Sequence, residues 1–225
     1  MSAIESEDPA PGIRRTCMRD RIRDTLVARI LDGQYAPGTQ LKELALAREF
    51  NVSQAPIREA LRELEGSGLV TSERYRGTRV RGADAEELRQ SYEARQTIEI
   101  RSLELAIPLD PAALVRMRAQ LAGMYSGIAQ QDVERYVDGA LALHRGLIEA
   151  SGNRVFLTMW DSLHFDIRGR IVLRQMAGLG RGFDALLHLH AELVAAISAA
   201  DTAGATAALR SIFARIAEVV GGNKL

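Results

Sequence analysis

Apolar side chains recur at helical spacing in the first third of the chain. They predict three short helices, over about 16–31, 41–50 and 53–67. Asn51, a residue type that tolerates the left-handed backbone conformation, is placed to end the second helix. Ser53 is placed to cap the third helix with its side-chain oxygen. The pattern therefore predicts one helix followed by two helices that are joined by a tight turn.

Two strand-like runs follow these helices, and a helical pattern fills the rest of the chain. The runs 69–72 and 78–81 flank a polar, basic segment and predict a β-hairpin. Beyond Gly82 six helical windows recur without a convincing strand, over 85–107, 111–130, 133–150, 154–176, 183–200 and 202–220. The links between them are short, which favours an antiparallel bundle. The predicted fold is mainly α: an N-terminal winged helix-turn-helix of three helices and a hairpin wing, then an all-α bundle.

Net charge changes along the 225 residues at the same boundaries as the pattern of apolar and polar positions. The whole chain balances 29 basic against 29 acidic residues, but 13–82 holds 14 Arg or Lys against 9 Asp or Glu. The segments on either side, 1–12 and 83–225, are net negative. We expect 1–12 to be a disordered tail, because it combines acidic residues with prolines and lacks an apolar run. The basic excess of 13–82 suits a partner with negative charge.

Cysteine content and hydropathy indicate the compartment. Cys17 is the single cysteine of the chain, and no Cys/His group has zinc-finger spacing. No stretch of eighteen apolar residues lacks a charge, and the first residues contain no apolar signal segment. These features predict a cytoplasmic protein that is neither secreted nor inserted in a membrane.

The N-terminal half contains four motifs in a fixed order. They are APGTQLKE at 36–43, VSQAPIREALREL at 52–64, GLV at 68–70 and RG at 76–77. In this arrangement they resemble the DNA-binding domain of GntR-family transcriptional regulators, over almost all of 20–81. The resemblance implies that 13–82 is a winged helix-turn-helix domain that binds double-stranded operator DNA.

The same resemblance implies which residues contact DNA. The start of the third helix faces the bases and the wing contacts phosphates, so the candidates are Lys42, Ser53, Gln54, Ala55, Arg58, Arg62, Arg74, Arg76, Gly77 and Arg79. Chemistry agrees, since Arg binds guanine or phosphate bidentately and Gln pairs with adenine. The alternative is that Arg58 and Arg62 form a solvated face paired with Glu59 and Glu63. Leu44 and Gln54 stand where many relatives have Arg, so no operator sequence is transferred.

The second half resembles the helical FCD-type effector domain of the FadR-like branch of that family. The residues that carry the resemblance are Glu93, Arg95, Glu99, Leu143, His144, the ASGN run at 150–153, His190 and Asp201. The resemblance implies that 83–225 is a ligand-sensing and dimerisation domain. It also implies a homodimer on a pseudo-palindromic operator, and the segment 82–87 is the expected joint between the domains.

Many members of this branch bind a divalent metal through one Asp and three His. The matching positions here are Ala140, His144, His190 and Ile212, so two of the four ligands are absent. Asp138 lies six residues before His144 and therefore points to another face of the helix. A metal-free pocket is favoured, and zinc, nickel or manganese on the two histidines is the alternative.

A metal-free pocket leaves several polar groups to bind an effector. Arg95, His144, His190 and Asn153 are the candidates, and an organic acid is the favoured ligand class. The alternative for Arg95 is an internal ion pair with Glu93, Glu99 or a carboxylate of a neighbouring helix. The two other histidines, 164 and 188, are expected to be structural.

Enzymatic activity is not expected. The chain has no Walker loop, no G-x-S-x-G elbow and no Glu-x-x-His pair of the kind that di-metal bundles use. The favoured function is a repressor whose operator affinity depends on a small metabolite. A metal-dependent sensor of the same family and, more remotely, a helical metalloenzyme with a DNA-binding module are the alternatives.

Overall fold

A computed structural model describes residues 18–73, 76–81, 85–178 and 183–222. Its elements in chain order are α1 (Met18–Leu31), β1 (Gln40–Leu41), α2 (Glu43–Glu49), α3 (Gln54–Gly66), β2 (Val70–Glu73), β3 (Gly77–Val80), α4 (Ala85–Ala106), α5 (Pro111–Ala129), α6 (Val133–Ala150), α7 (Arg154–Ser162), α8 (Phe165–Gly178), α9 (Asp184–Ser198) and α10 (Thr202–Gly222). The mainly helical fold with a small wing is confirmed. The expected tail at 1–12, Arg74 and part of the expected joint, 82–84, lie outside the described residues.

Helices α1, α2 and α3 form the first core. Ile57 and Leu64 of α3 pack with Ile22 and Leu26 of α1, and all four side chains are almost completely buried. Asn51 has a φ of 53°, which is the left-handed conformation expected after α2. Ser53 occupies the N-cap position of α3 with extended backbone, but its side chain makes no capping hydrogen bond, contrary to prediction. Its hydroxyl stays exposed at the start of α3.

The wing is a three-stranded antiparallel sheet rather than a simple hairpin. The strand order is β1-β3-β2, so β3 lies in the centre and Arg79 pairs with Gln40 on one side and Thr71 on the other. The sequence pattern misses β1 because it is only two residues long and shows no alternation over that length. Pairing with β1 fixes the wing to the turn before α2.

One predicted helix, 154–176, is in fact two. The chain turns between α7 and α8 at His164, whose φ is 50°. Trp160 before the turn and Phe165 after it pack edge to face, with ring centroids 5.5 Å apart. Apolar spacing does not reveal this break, because the residues on both sides are apolar and the new direction of α8 is set by distant contacts.

Helix α8 packs against both halves of the molecule. Its Ile167 and Ile171 are buried in the core of the N-terminal domain. Arg168 on the same helix pairs with Glu87 at 2.8 Å. Arg174 pairs with Asp32, just beyond α1, also at 2.8 Å. The domains therefore meet through α8 as well as through the covalent joint that the sequence indicated.

The second core lies among α4, α5, α6, α9 and α10. Helix α6 is central, and Val137, Leu143 and Leu147 on its inner face are almost fully buried. Two side chains cap neighbouring helices: Asp110 accepts a hydrogen bond from the backbone of α5, and Asn153 accepts two from the backbone of α7. This bundle positions the polar groups described next.

Candidate functional site

The start of α3 presents the base-contacting candidates to solvent. Ser53, Gln54 and Ala55 are all exposed, and Arg58 lies one turn later on an exposed face. The opposite side of α3 is the buried stripe that includes Ile57. The amphipathic pattern of this helix thus leaves its polar face free for a macromolecular partner.

Arg58 forms an ion pair, but not with the glutamates of its own helix. Its Nη2 donates to Oε2 of Glu43 at the start of α2, at 2.9 Å. Glu63 instead pairs with Arg19 and Arg23 of α1, at 3.0 and 3.2 Å. The glutamate hydrogen bond raises the pKa of Arg58, so this group is a permanent cation. Because the pair is exposed, exchanging Glu43 for another anion costs little.

Arg62 and Lys42 are two further cations of the N-terminal domain. Both side chains are exposed, and neither makes an ion pair with another described residue. A groove of about 510 Å³ runs between α3 and the wing, and Arg58, Arg62 and Gly77 line it. The structure therefore brings the recognition helix and the wing to one surface.

The candidate DNA-contacting residues on the wing differ in whether their side chains already bind other groups of the protein. Arg76 is exposed at the tip and pairs with Glu73 at 3.2 Å. Gly77 has a φ of 78°, which a residue with a side chain adopts only with strain. Arg79 donates from Nη1 to the carbonyl of Gly38 at 3.0 Å, so it already binds the backbone of the turn before β1. Arg79 is thus engaged in holding the wing.

A second polar site is buried inside the helical bundle. Glu99 accepts hydrogen bonds from Arg95 Nε at 2.6 Å and from His144 Nδ1 at 2.5 Å. His144 Nε2 faces His190 Nε2 at 3.1 Å, and His190 Nδ1 donates to the carbonyl of Leu186 at 2.6 Å. Arg95, Glu99, His144 and His190 are almost completely buried. We call these four residues the buried cluster.

The hydrogen bonds of the buried cluster determine its charge. A carbonyl only accepts, so His190 Nδ1 carries a proton, and the Glu99 carboxylate requires a proton on His144 Nδ1. The contact between the two Nε2 atoms needs one more proton, which makes three protons on two imidazoles. The histidine pair therefore carries one positive charge. With Arg95 and Glu99 included, the buried cluster has a net charge of about +1.

The pKa shifts agree with this assignment. Burial, reinforced by the neighbouring His144, lowers the pKa of His190 to about 3, so the proton on its Nδ1 is the only one that His190 holds. Burial alone would raise the pKa of Glu99, but His144 and Arg95 together hold it below its ordinary value. Glu99 is therefore the buried anion that the two cations share.

Aromatic rings surround the guanidinium of Arg95. It lies 4.9 Å from the ring centroid of Trp160, 5.4 Å from that of Tyr92 and 5.6 Å from that of Phe213. The Trp160 indole N–H is buried and has no hydrogen-bond partner among the described residues, and the buried Tyr92 hydroxyl lies beside the Arg95 guanidinium, from which it accepts. The indole N–H beside this buried cation is thus available to an acceptor.

The imidazoles of His144 and His190 face each other in the buried cluster. Ala140 and Ile212 are buried at the other two positions of the family's metal site, and neither offers a ligand atom. Asp138 points outward and pairs with Arg170, as its position six residues before His144 predicted. The described residues contain no group of three His, Cys, Asp or Glu side chains arranged to hold a metal.

Not every candidate joins the buried cluster. Asn153 lies nine residues beyond His144, roughly 13 Å along the helix axis, and its side-chain oxygen caps α7, so an effector-binding role finds no support there. His188 is exposed and pairs with Glu192 at 3.2 Å. His164 lies against Gly66 where α8 meets the end of α3.

Sequence reasoning missed the aromatic residues around Arg95. Tyr92, Arg95 and Glu99 follow one another at spacings of three and four, which places them on one helix face. That spacing was the available signal for Tyr92. No comparable signal exists for Trp160 or Phe213, because they come from α7 and α10.

Hydropathy adds one observation about the described part of the chain. None of its helices combines the length and apolar character needed to cross a bilayer.

Comparison with known families assigns both halves. Residues 18–80 match the family described as bacterial regulatory proteins, gntR family, and residues 90–215 match the FCD domain. The gluconate operon transcriptional repressor of Bacillus subtilis is 26% identical over 207 residues, which cover 89% of this chain and 85% of that protein. The transcriptional repressor GlaR of Escherichia coli is 26% identical over 191 residues, which cover 80% and 86%.

Solved structures share the whole architecture. A GntR transcriptional regulator from Rhodococcus sp. RHA1 superposes with a TM-score of 0.74 at 24% identity, over 92% of this chain and 99% of that one. Escherichia coli McbR/YncC superposes with a TM-score of 0.75 at 19% identity, over 92% and 98%. Identities this low establish the fold alone. The FCD match, however, spans more than half of the chain, and the gntR match precedes it. The chain therefore belongs to the GntR family of bacterial regulatory proteins, and it is a DNA-binding transcriptional regulator with a C-terminal FCD domain.

Proposed function

We propose that this regulator is a homodimeric repressor that a small organic acid, bound in the helical domain, releases from its operator. The observation that carries the proposal is the buried Arg95 guanidinium, of which Glu99 binds only Nε, beside the unpartnered indole N–H of Trp160. Two relatives are named as repressors, and one of them is named for the gluconate operon. Gluconate is itself an organic acid.

On the DNA side, the exposed start of α3 supplies the base contacts. Gln54 is suited to adenine, Ala55 to a thymine methyl group, and Arg58 to guanine or phosphate once it leaves Glu43. Arg62 and Lys42 bind phosphates from either side of this helix. Two such domains in a dimer place their recognition helices in successive major grooves, roughly 34–36 Å apart.

On the effector side, the buried cluster attracts an anion. A buried cation without a full complement of acceptors is costly, so an added carboxylate is stabilised there by charge and by hydrogen bonds. Arg95 is the central group, since Glu99 engages only its Nε atom. Glu99 orients both Arg95 and His144 and acts on the ligand through them.

Helix α8 supports a route from the effector to the DNA-binding domain. A Cβ atom at Gly169 of α8 would lie 3.1 Å from Arg95 Nη1, so the guanidinium packs directly on this helix. Two residues away on each side, and therefore on the opposite face of α8, Ile167 and Ile171 are buried in the N-terminal core. A ligand that draws Arg95 toward itself changes the contact with α8 and hence the placement of α3. Such a ligand shifts the equilibrium only by its preference for one arrangement.

The proposed pocket is metal-free, because only two imidazoles are available to a metal. A metal-dependent sensor is the second candidate, since His144 and His190 direct their Nε2 atoms at each other. Metal binding there requires loss of the shared proton and a third ligand from the effector. Elemental analysis of protein purified without chelator or metal-affinity tag distinguishes the two. Stoichiometric zinc, nickel or manganese would contradict the metal-free pocket.

The DNA-binding role is tested with Arg58→Ala. Genomic footprinting with the purified wild-type protein first identifies the operator. The variant should lose specific retention of that operator at moderate salt and keep the wild-type circular dichroism spectrum. Arg118→Ala on α5, another exposed arginine without an ion pair among the described residues, is the matched control and should bind normally. Unchanged operator affinity of Arg58→Ala would refute the assigned role.

A further inference from the structure

A groove between α4 and α10 lies immediately outside the buried cluster. It encloses about 320 Å³. From α4 it is lined by Tyr92 and Gln96, and from α10 by Arg210, Phe213 and Ala214. A volume of this size suits a ligand of one ring or a short chain.

Two aromatic side chains form the wall between the groove and the buried cluster. Tyr92 and Phe213 pack edge to face, with centroids 6.1 Å apart, and both rings contact the Arg95 guanidinium on their inner side. Tyr92 is more than nine-tenths buried, and its hydroxyl lies beside the Arg95 guanidinium on the inner side of the wall. Phe213 also contacts the ring of His144. An occupant of the groove therefore touches the same two rings that hold Arg95.

The charges around the groove favour an anion. Arg210 is exposed at the rim and makes no ion pair within the part of the chain that the structure describes. Glu93 on the facing helix is already paired with Arg89. Behind the aromatic wall the buried cluster adds its net positive charge. The rest of the lining is apolar, and Phe213, Ala214 and Ile216 provide it.

We infer that the α4–α10 groove binds a carboxylate that carries an apolar body. The Arg210 guanidinium binds the carboxylate, and the apolar body packs on the rings of Phe213 and Tyr92. This inference rests on the proposed function: it adds where in the helical domain the effector binds and to which chemical class the effector belongs. Its occupant acts on Arg95 through the Tyr92–Phe213 wall and so reaches α8.

Trp160 provides a direct readout. It is the only tryptophan of the chain, it is buried, and the Arg95 guanidinium lies 4.9 Å from its ring centroid. The full-length protein is titrated with benzoate, phenylacetate and hexanoate, and separately with the corresponding uncharged amides. At least one carboxylate should change Trp160 fluorescence saturably. Its amide should bind about ten-fold more weakly, because the charge-assisted bond to Arg210 is lost.

Three variants test the location. Arg210→Gln should weaken the carboxylate about ten-fold. Tyr92→Phe keeps the ring on which the ligand packs and should weaken the carboxylate less than Arg210→Gln does. Arg215→Gln is the matched control: Arg215 lies on the same helix, pairs with Glu218 at 2.7 Å, and should leave the affinity unchanged.

The outcomes separate this inference from the proposed function. The groove is overturned as the site if Arg210→Gln and Arg215→Gln bind the carboxylate with equal affinity. It is also overturned if the amides bind as tightly as the carboxylates, or if none of the tested compounds binds. Operator retention is measured in the same samples. If a carboxylate releases the operator from Arg210→Gln at the same concentration as from the wild type, the groove is wrong and the effector-controlled repressor stands. If the wild type retains no operator, the proposed function itself fails.

Discussion

Replacing Glu99 with Gln should strongly destabilise the helical domain. Glu99 is fully buried and is the only anion that contacts Arg95 and His144 among the described residues. Gln has nearly the same shape but no charge. Its amide nitrogen would also face a donor, Arg95 Nε or His144 Nδ1, at a distance of about 2.5–2.6 Å. The substitution therefore removes charge compensation and creates a clash between donors.

The expected cost follows from this arrangement. Removing one partner of a buried ion pair typically costs about 3–5 kcal/mol, because the other charge stays buried. Here two cations lose their shared partner, so the upper part of that range applies. For a slope of roughly 2–3 kcal/mol per molar urea, the unfolding midpoint should fall by about 1–2 M.

Glu104→Gln is the matched control for this change. It lies on the same helix and pairs with Arg101 at 2.8 Å, but both side chains are exposed. An exposed pair contributes little, so this variant should shift stability by less than about 0.5 kcal/mol. Urea unfolding at pH 7.5, followed by circular dichroism and by Trp160 fluorescence, measures both variants. If Glu99→Gln costs no more than Glu104→Gln, the buried cluster does not hold the charges assigned to it.

Two further predictions concern pH and packing. Because His190 has a pKa of about 3 in the folded protein against an ordinary value of 6.5, only the unfolded chain takes up its proton as the pH falls below 6.5. The free energy of unfolding should therefore decline by about 2 kcal/mol between pH 7.5 and 5 because of His190. The urea midpoint of His190→Asn should decline less over this range than that of the wild type. An equal decline in the two proteins would contradict the pKa assigned to His190. Gly169→Ala should lower the melting temperature, because the new Cβ would lie 2.5 Å from Leu141 Cδ2, at a typical cost of about 1–3 kcal/mol. At Gly123 of α5 the new Cβ would meet open space, so Gly123→Ala should raise the melting temperature through about 0.5–1 kcal/mol of added stability. If both substitutions shift the melting temperature in the same direction, the packing described for α8 is refuted.

Local signals in the sequence determined much of this protein. The bounds of α5, α6 and α10 follow from apolar spacing and from caps such as Asp110, whose hydrogen bond lies within the same turn. Apolar spacing with Asn51 sufficed to predict the DNA-binding helices, and the four motifs between 36 and 77 sufficed to predict the family. These features arise from interactions between residues a few positions apart, so they can be predicted from the local sequence.

Only the tertiary structure decided how the two halves meet and which partners the buried charges take. Arg95 had three possible carboxylate partners in sequence, and burial with His144 selects Glu99. His144 lies 45 residues from Glu99 and 46 from His190, so no local pattern joins them. The turn at His164 likewise arises because α8 packs Ile167 and Ile171 into the other domain. At such positions burial against residues distant in the sequence outweighs local helix propensity. The spacing of residues along the chain therefore does not predict the turn.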